Sequence, residues 1–116
     1  MSDMFNNCGR LKYIDLSSFD TTNTRNLDGL FANCRSLTSI NMPNLKTANA
    51  FSVSKMFYSC SSLTSLNLPY FDTINIGDYG LKSIFDGCTN LTLSIKKKQC
   101  SNIIELIPKY ITIIDL

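Results

Sequence analysis

The chain has 116 residues, of which 44% are apolar and 17% charged, with a net charge of +2. That is one domain's worth of polypeptide with a nearly neutral surface, neither disordered nor strongly charged. It shows no basic stripe with interleaved aromatics, so nucleic acid is not expected as a partner, and no run of about 18 apolar residues that could cross a membrane.

Met1-Ser2-Asp3 has neither the basic region nor the apolar stretch of an export signal. The chain therefore reads as a mature fragment, an excised domain or an intracellular protein. The segment MFNNCGRLKYIDL follows at 4–16 and is written again as LFANCRSLTSINM at 30–42 and MFYSCSSLTSLNL at 56–68. IFDGCTNLTLSI at 84–95 is a fourth copy, one residue short. Cys8, Cys34, Cys60 and Cys88 anchor the copies at spacings of 26, 26 and 28. A fixed period in this range is the signature of a solenoid. The register runs through the whole unit: Phe19, Leu45 and Phe71 correspond, as do Thr21, Thr47 and Thr73, and Asn23, Asn49 and Asn75.

Each unit has two halves with different periods. Leu27, Leu30, Phe31 and Cys34 stand at i, i+3, i+4 and i+7, which predicts one face of a short helix. Val53, Met56, Phe57 and Cys60 repeat the pattern, as do Leu81, Ile84, Phe85 and Cys88. Asn26 and Ser52 sit where an N-cap oxygen would receive the free N–H groups of such a helix. After the cysteine the spacing changes to Leu37-x-x-Ile40-x-Met42 and Leu63-x-x-Leu66-x-Leu68, predicting a short strand with one face buried. Pro43 and Pro69 end these strands, since proline has no N–H for the ladder. Beyond the lysines, Ile103, Ile104 and Ile107 predict another short helix before Pro108, and Ile111–Leu116 a fifth, shortened turn. The first unit is expected to begin part-way through its helix. The units fall roughly at 1–25, 26–51, 52–76, 77–98 and 99–116. None buries enough apolar surface alone, so they must stack on one continuous core.

The string Met-Phe-x-x-Cys-x-Ser-Leu-Thr-Ser-Leu-x-Leu followed by Phe-Asp-Thr-x-Asn resembles the BspA-type leucine-rich repeats, in their 26-residue variant. The resemblance covers roughly residues 4–95 and is clearest from Cys60 to Asn75. It implies an α/β repeat solenoid of four to five turns, right-handed, with short parallel strands lining one face. It also implies a cell-surface or extracellular location, and adhesion or recognition through a protein or glycan partner. A cytoplasmic scaffold or interaction domain of the same fold is the alternative.

The cysteines do not read as a metal site, because the chain has no His and no Cys-x-x-Cys pair. Cys8, Cys34, Cys60 and Cys88 fall instead on the apolar side of each unit, where a thiol acts as a small hydrophobe. Cys100 lies outside the register and is the expected reactive thiol. Asn23, Asn49 and Asn75, with the threonines beside them, are expected to form buried columns that satisfy turn backbone. Lys46 between Asp20 and Asp72 argues against a calcium ladder. Lys96-Lys97-Lys98 reads as a solvated turn, and Asn90-Leu91-Thr92 as a chance sequon. No nucleophile, base and orienting group converge, so no catalytic residue, metal or cofactor is expected and the chain reads as non-enzymatic.

Strands stack about 4.8 Å apart and helices about 8–10 Å, so the strands should line a concave face. Alternation places Tyr13 and Asp15, Ser39 and Asn41, Ser65 and Asn67, then Ser94 and Asp115 on that face as the candidate binding residues.

Overall fold

The computed structural model describes residues 1–116. Five short strands follow in chain order: β1 (Tyr13–Asp15), β2 (Ser39–Asn41), β3 (Ser65–Leu68), β4 (Thr92–Ile95) and β5 (Thr112–Asp115). All pairing is parallel, β1 with β2, β3 with β4, and β4 with β5. The alternation expected from sequence is clearest in β3, where Leu66 and Leu68 are buried and Ser65 and Asn67 exposed.

No α-helix forms. Short 3-10 turns occur at Asp78–Leu81, Lys97–Gln99 and Ile104–Leu106. The segments expected as helices are tandem four-residue turns. Leu30, Ala32 and Cys34 donate their N–H groups three residues back, to Leu27, Gly29 and Phe31 at 3.0–3.3 Å. The alternate N–H groups, of Leu27, Gly29, Phe31 and Asn33, donate instead to Ser52, Ser54, Met56 and Tyr58 of the next coil at 2.7–3.0 Å. A helix would satisfy its own backbone; this ribbon satisfies half of it only through a neighbour. The expectation failed for a geometric reason. Corners of two consecutive turns bring Leu27, Leu30, Phe31 and Cys34 inward at the same spacing as one face of a helix.

The turns require left-handed backbone at their third residues. Gly29 and Asn33 have φ of 62°, and Asp3, Asn7, Lys55, Ser59, Ser83 and Gly87 repeat the sign. A positive φ at that place marks a type II turn, the preserve of Gly and Asn. Ser59 (φ 58°) is the register equivalent of Gly87 and carries a Cβ there. Ser59→Gly should therefore stabilise the protein by about 1 kcal/mol, net of glycine's greater chain entropy. A urea midpoint that falls instead of rising would contradict this turn geometry.

The first coil carries both turns on this flank, where the sequence pattern suggested only the end of the segment. Met4 N–H donates to Met1 O, as Leu30 does to Leu27, and Met1 packs against the core. The core is a single cluster running the length of the stack. Its centre is a column of phenylalanines: Phe5 on Phe31, Phe31 on Phe57, and Phe57 on Phe85, with centroids 5.6, 5.5 and 5.5 Å apart and rings within 14° of parallel.

Each flank has one break in its backbone ladder. β2 and β3 do not pair, so the sheet divides into β1–β2 and β3–β4–β5. A void of about 10 Å³, lined among others by Ile40, Met42, Leu66 and Leu68, marks the seam. The turn ribbons remain hydrogen-bonded across it. Between the fourth and fifth coils the turn ladder is reduced to one bond, from the Gly87 N–H to the Tyr110 hydroxyl.

Candidate binding surface

The strand register sets which side chains share the outer face. Tyr13 pairs with Ser39 and Asp15 with Asn41; Ser65 pairs with Thr92 and Asn67 with Ser94. β5 differs from expectation. Ser94 pairs with Ile114, whereas Asp115 pairs with the buried Ile95 and so belongs to the inward column at the open end of the stack. Aligning Ile114-Asp115-Leu116 with Ile14-Asp15-Leu16 shifted the strand by one residue, which exchanges its two faces. The usable signal was Ile111-x-Ile113, which matches Leu91-x-Leu93. Asp115 instead serves the backbone, its carboxylate accepting the Lys97 N–H at 3.0 Å. Thr92, Thr112 and Ile114 take places on the outer face that sequence reasoning did not assign.

This face is polar and held in place. Asn41 Nδ2 donates to Asp15 Oδ1 at 3.2 Å, and Asp15 also accepts the Ser17 N–H at 3.0 Å. The Ser17 hydroxyl and N–H hold the Asp15 carboxyl below its ordinary pKa, so it carries its charge at neutral pH. Tyr13 and Ile114, at opposite ends, are about half exposed.

The buried polar column is threonine alone. Thr47 Oγ1 donates to Asp72 O at 2.8 Å and accepts the Asp72 N–H at 2.7 Å. Thr21 does the same with Lys46, and Thr73 exchanges bonds with Asn102. Asn23, Asn49 and Asn75 are exposed; Asn49 makes one bond, from Nδ2 to Thr22 O at 2.8 Å. The smaller hydroxyl fits between stacked coils and serves a donor and an acceptor at once, which an amide there could not do without pushing the coils apart.

The cysteines form a second column. Cys34, Cys60 and Cys88 donate their thiol protons to Phe5 O, Phe31 O and Phe57 O at 3.0–3.1 Å. Each such carbonyl also accepts the N–H of the cysteine three residues ahead, so both its lone pairs are used. Cys100 does not have the setting of the reactive thiol expected from its position outside the register. It is fully buried and donates to Phe71 O at 3.2 Å, because Ile103 and Ile107 fold the fifth coil over it. Burial pushes its pKa up to about 11, and burial likewise raises that of Cys34. Cys8 is the one partly exposed thiol. In the native protein Cys8 should therefore react first with a thiol reagent, with Cys100 no faster than Cys34. Mass mapping that finds Cys100 labelled ahead of Cys8 would contradict the packing of the fifth coil.

Two further features lie off the strand face. Phe51 and Tyr79, 60% and 86% exposed, occupy the corner before the turn ribbon, and Lys82 Nζ stands 4.8 Å from the Tyr79 ring centroid. Phe51 N–H donates to Arg25 O, so an aromatic stands where the preceding coil has a cation. That exchange at an exposed register position was a signal available in the sequence. An open groove of about 520 Å³ lies between Leu81–Asp86 and Asn102–Leu106.

Over residues 1–109 the chain matches the family model described as "Mycoplasma protein of unknown function, DUF285". The chain belongs to this family. DUF285 membership thus covers all of the first four coils and reaches Lys109 in the fifth. No curated protein and no solved structure matches the chain.

Proposed function

We propose that this DUF285 chain is a non-enzymatic binding module of the leucine-rich-repeat type, a right-handed solenoid similar to the BspA-like repeats, serving surface adhesion or protein and glycan recognition. The observation that supports this is the outer strand face. Ser39, Asn41, Ser65, Asn67, Thr92 and Ser94 are short hydrogen-bonding side chains set in register on backbone already committed to the core. Such a surface offers donors and acceptors at low entropic cost, since little must be ordered on binding. It is small. Strands of three or four residues at about 3.3 Å each, stacked about 4.8 Å apart, offer well below the roughly 800 Å² per partner of a standard interface. One copy should bind weakly, and useful affinity would come from many copies or a longer repeat array.

The test replaces Ser39, Asn41, Ser65 and Asn67 together by Glu, then measures melting temperature and attachment to cells, matrix proteins and immobilised glycans. Unchanged melting with lost attachment is the expected result. Attachment that survives on an intact fold would move the site elsewhere, with the Phe51–Tyr79 corner next to be tested.

A further inference from the structure

The repeat holds its period through the third coil and then lengthens. The connection from Asn75 to Leu81 is two residues longer than that from Asn49 to Val53, the extra length falling in Gly77-Asp78-Tyr79-Gly80. Insertions in a stacked repeat are carried outward as loops, often on a binding face. This loop is held closely. Asp78–Leu81 is a 3-10 turn, the Gly80 N–H donates to Gly77 O at 2.9 Å, and Gly80 O accepts the Val53 N–H at 2.8 Å. A Cβ on Gly80 would stand 2.5 Å from Phe51 O and 2.9 Å from Ser52 Cα, so only glycine lets the loop lie against the coil before it. Tyr79 is thereby fixed at 86% exposure, the highest among the large hydrophobic side chains. Lys82 Nζ lies over its ring, and the exposed Phe51 occupies the equivalent corner one coil back.

Beside the loop is the open groove of about 520 Å³, within the range of small-molecule sites. It lies where the fourth ribbon loses its ladder. The Gly29 and Lys55 N–H groups donate to Ser54 O and Lys82 O, but the Ser83 N–H, next in that column, donates to nothing in the chain. Asp78, Lys82, Ser83 and Asp86 line the groove together with the apolar Leu81 and Leu106. The two carboxylates stand apart from the others in the protein. Asp3, Asp15, Asp20, Asp28, Asp72 and Asp115 all accept hydrogen bonds from the chain. Asp78 and Asp86 accept none, and both are in this groove.

One recess thus combines carboxylate acceptors, an ammonium, a free backbone N–H and a fixed, exposed aromatic ring. Charges of both signs give it no single strong field, which disfavours a polyanion. The ligand that uses all of these groups is uncharged, carries hydroxyls that both donate and accept, and has a C–H face to set on the electron-rich face of an aromatic ring.

We infer that the Tyr79 loop and the groove beside it form a binding site for a neutral saccharide. The C–H face of one pyranose ring would rest on Tyr79, and hydroxyls of that unit or the next would meet Asp78, Asp86 and the Ser83 N–H. This is a second surface, apart from the strand face, and it stands whether or not the strand face captures a partner.

The experiment titrates the 15N-labelled full chain with methyl glycosides and short oligosaccharides of glucose, galactose, mannose and N-acetylglucosamine, with a sulfated oligosaccharide alongside. Saturable amide shifts are expected at Tyr79, Ser83 and Asp86 with at least one neutral sugar, while Ser39 and Ser65 on the strand face stay in place. Tyr79→Ala, at an exposed position, should leave the melting temperature unchanged and weaken binding by about tenfold, and Tyr79→Phe should keep it. The variant with Ser39, Asn41, Ser65 and Asn67 replaced by Glu should bind the sugar as the parent does, which scores the two surfaces separately. No saturable shift at the loop with any neutral sugar, or undiminished binding in Tyr79→Ala, would overturn the inference. So would binding of the sulfated sugar alone, or shifts centred on Ser39 and Ser65 instead.

Discussion

Phe57→Ala is expected to destabilise the protein by about 4 kcal/mol, the upper part of the range for removing a buried phenylalanine. The ring is 1% exposed and lies between two others, Phe31 and Phe85, each 5.5 Å away and nearly parallel. Truncation removes its own burial, leaves a cavity, and deprives two neighbours of a stacking partner worth about 0.5–1.5 kcal/mol each. A protein of this size has roughly 5–15 kcal/mol in total, so the variant should be close to unfolding at 37 °C. Phe5→Ala is the comparison, because that ring is half-buried and stacks on one other ring, Phe31. It should cost less than half as much. Equal losses in urea denaturation would mean that the aromatic column is not the continuous core that binds the coils together.

Thr47→Val should cost about 3 kcal/mol although the two side chains have nearly the same shape. The Thr47 hydroxyl both donates to and accepts from the backbone of Asp72. Valine leaves a buried N–H and a buried C=O without partners, at about 1–3 kcal/mol each. Asn49→Ala, on an exposed side chain with a single bond, should fall within about 1 kcal/mol of the parent. Thermal or chemical denaturation of the two variants side by side decides which column carries the turn. A larger loss at Asn49 than at Thr47 would reverse the assignment made from burial.

The two flanks of the coil differed in how far they could be read from sequence. On the strand flank, Leu63-x-x-Leu66-x-Leu68 and its relatives alternate with period 2, and only an extended chain buries that pattern on one side. The parallel strands were legible for that reason. On the turn flank, Leu27, Leu30, Phe31 and Cys34 fit a helix and a pair of tandem turns equally well by apolar spacing. What separated them was the residue type at the left-handed positions: Gly29, Asn33, Asn7 and Gly87 are strong turn formers, and Gly is poor inside a helix. Apolar periodicity contains no information about that choice. The outer face was legible wherever the repeat kept its length. It failed at β5, where an irregular connection let a three-residue match at the end of the chain outweigh the inward alternation of Ile111 and Ile113. Cys100 was misjudged because its burial depends on the fold-back of Ile103 and Ile107, a contact outside the repeat. The seam between β2 and β3 has no counterpart in the sequence pattern, since Ile40 and Leu66 are ordinary members of their columns.

From the first coil to the fourth, the coil-to-coil bonds within the tandem turns have one sense, N–H toward the following coil and C=O toward the preceding one. Peptide dipoles of about 3.5 D each are thus added along the solenoid axis, as they are in an α-helix, although no helix is present. Their negative pole is at Ser2, Met4 and Asn6, whose carbonyls open outward. The stack is therefore electrically polar from one end to the other whatever its side chains carry, and lengthening it would extend the charge separation without changing the net charge.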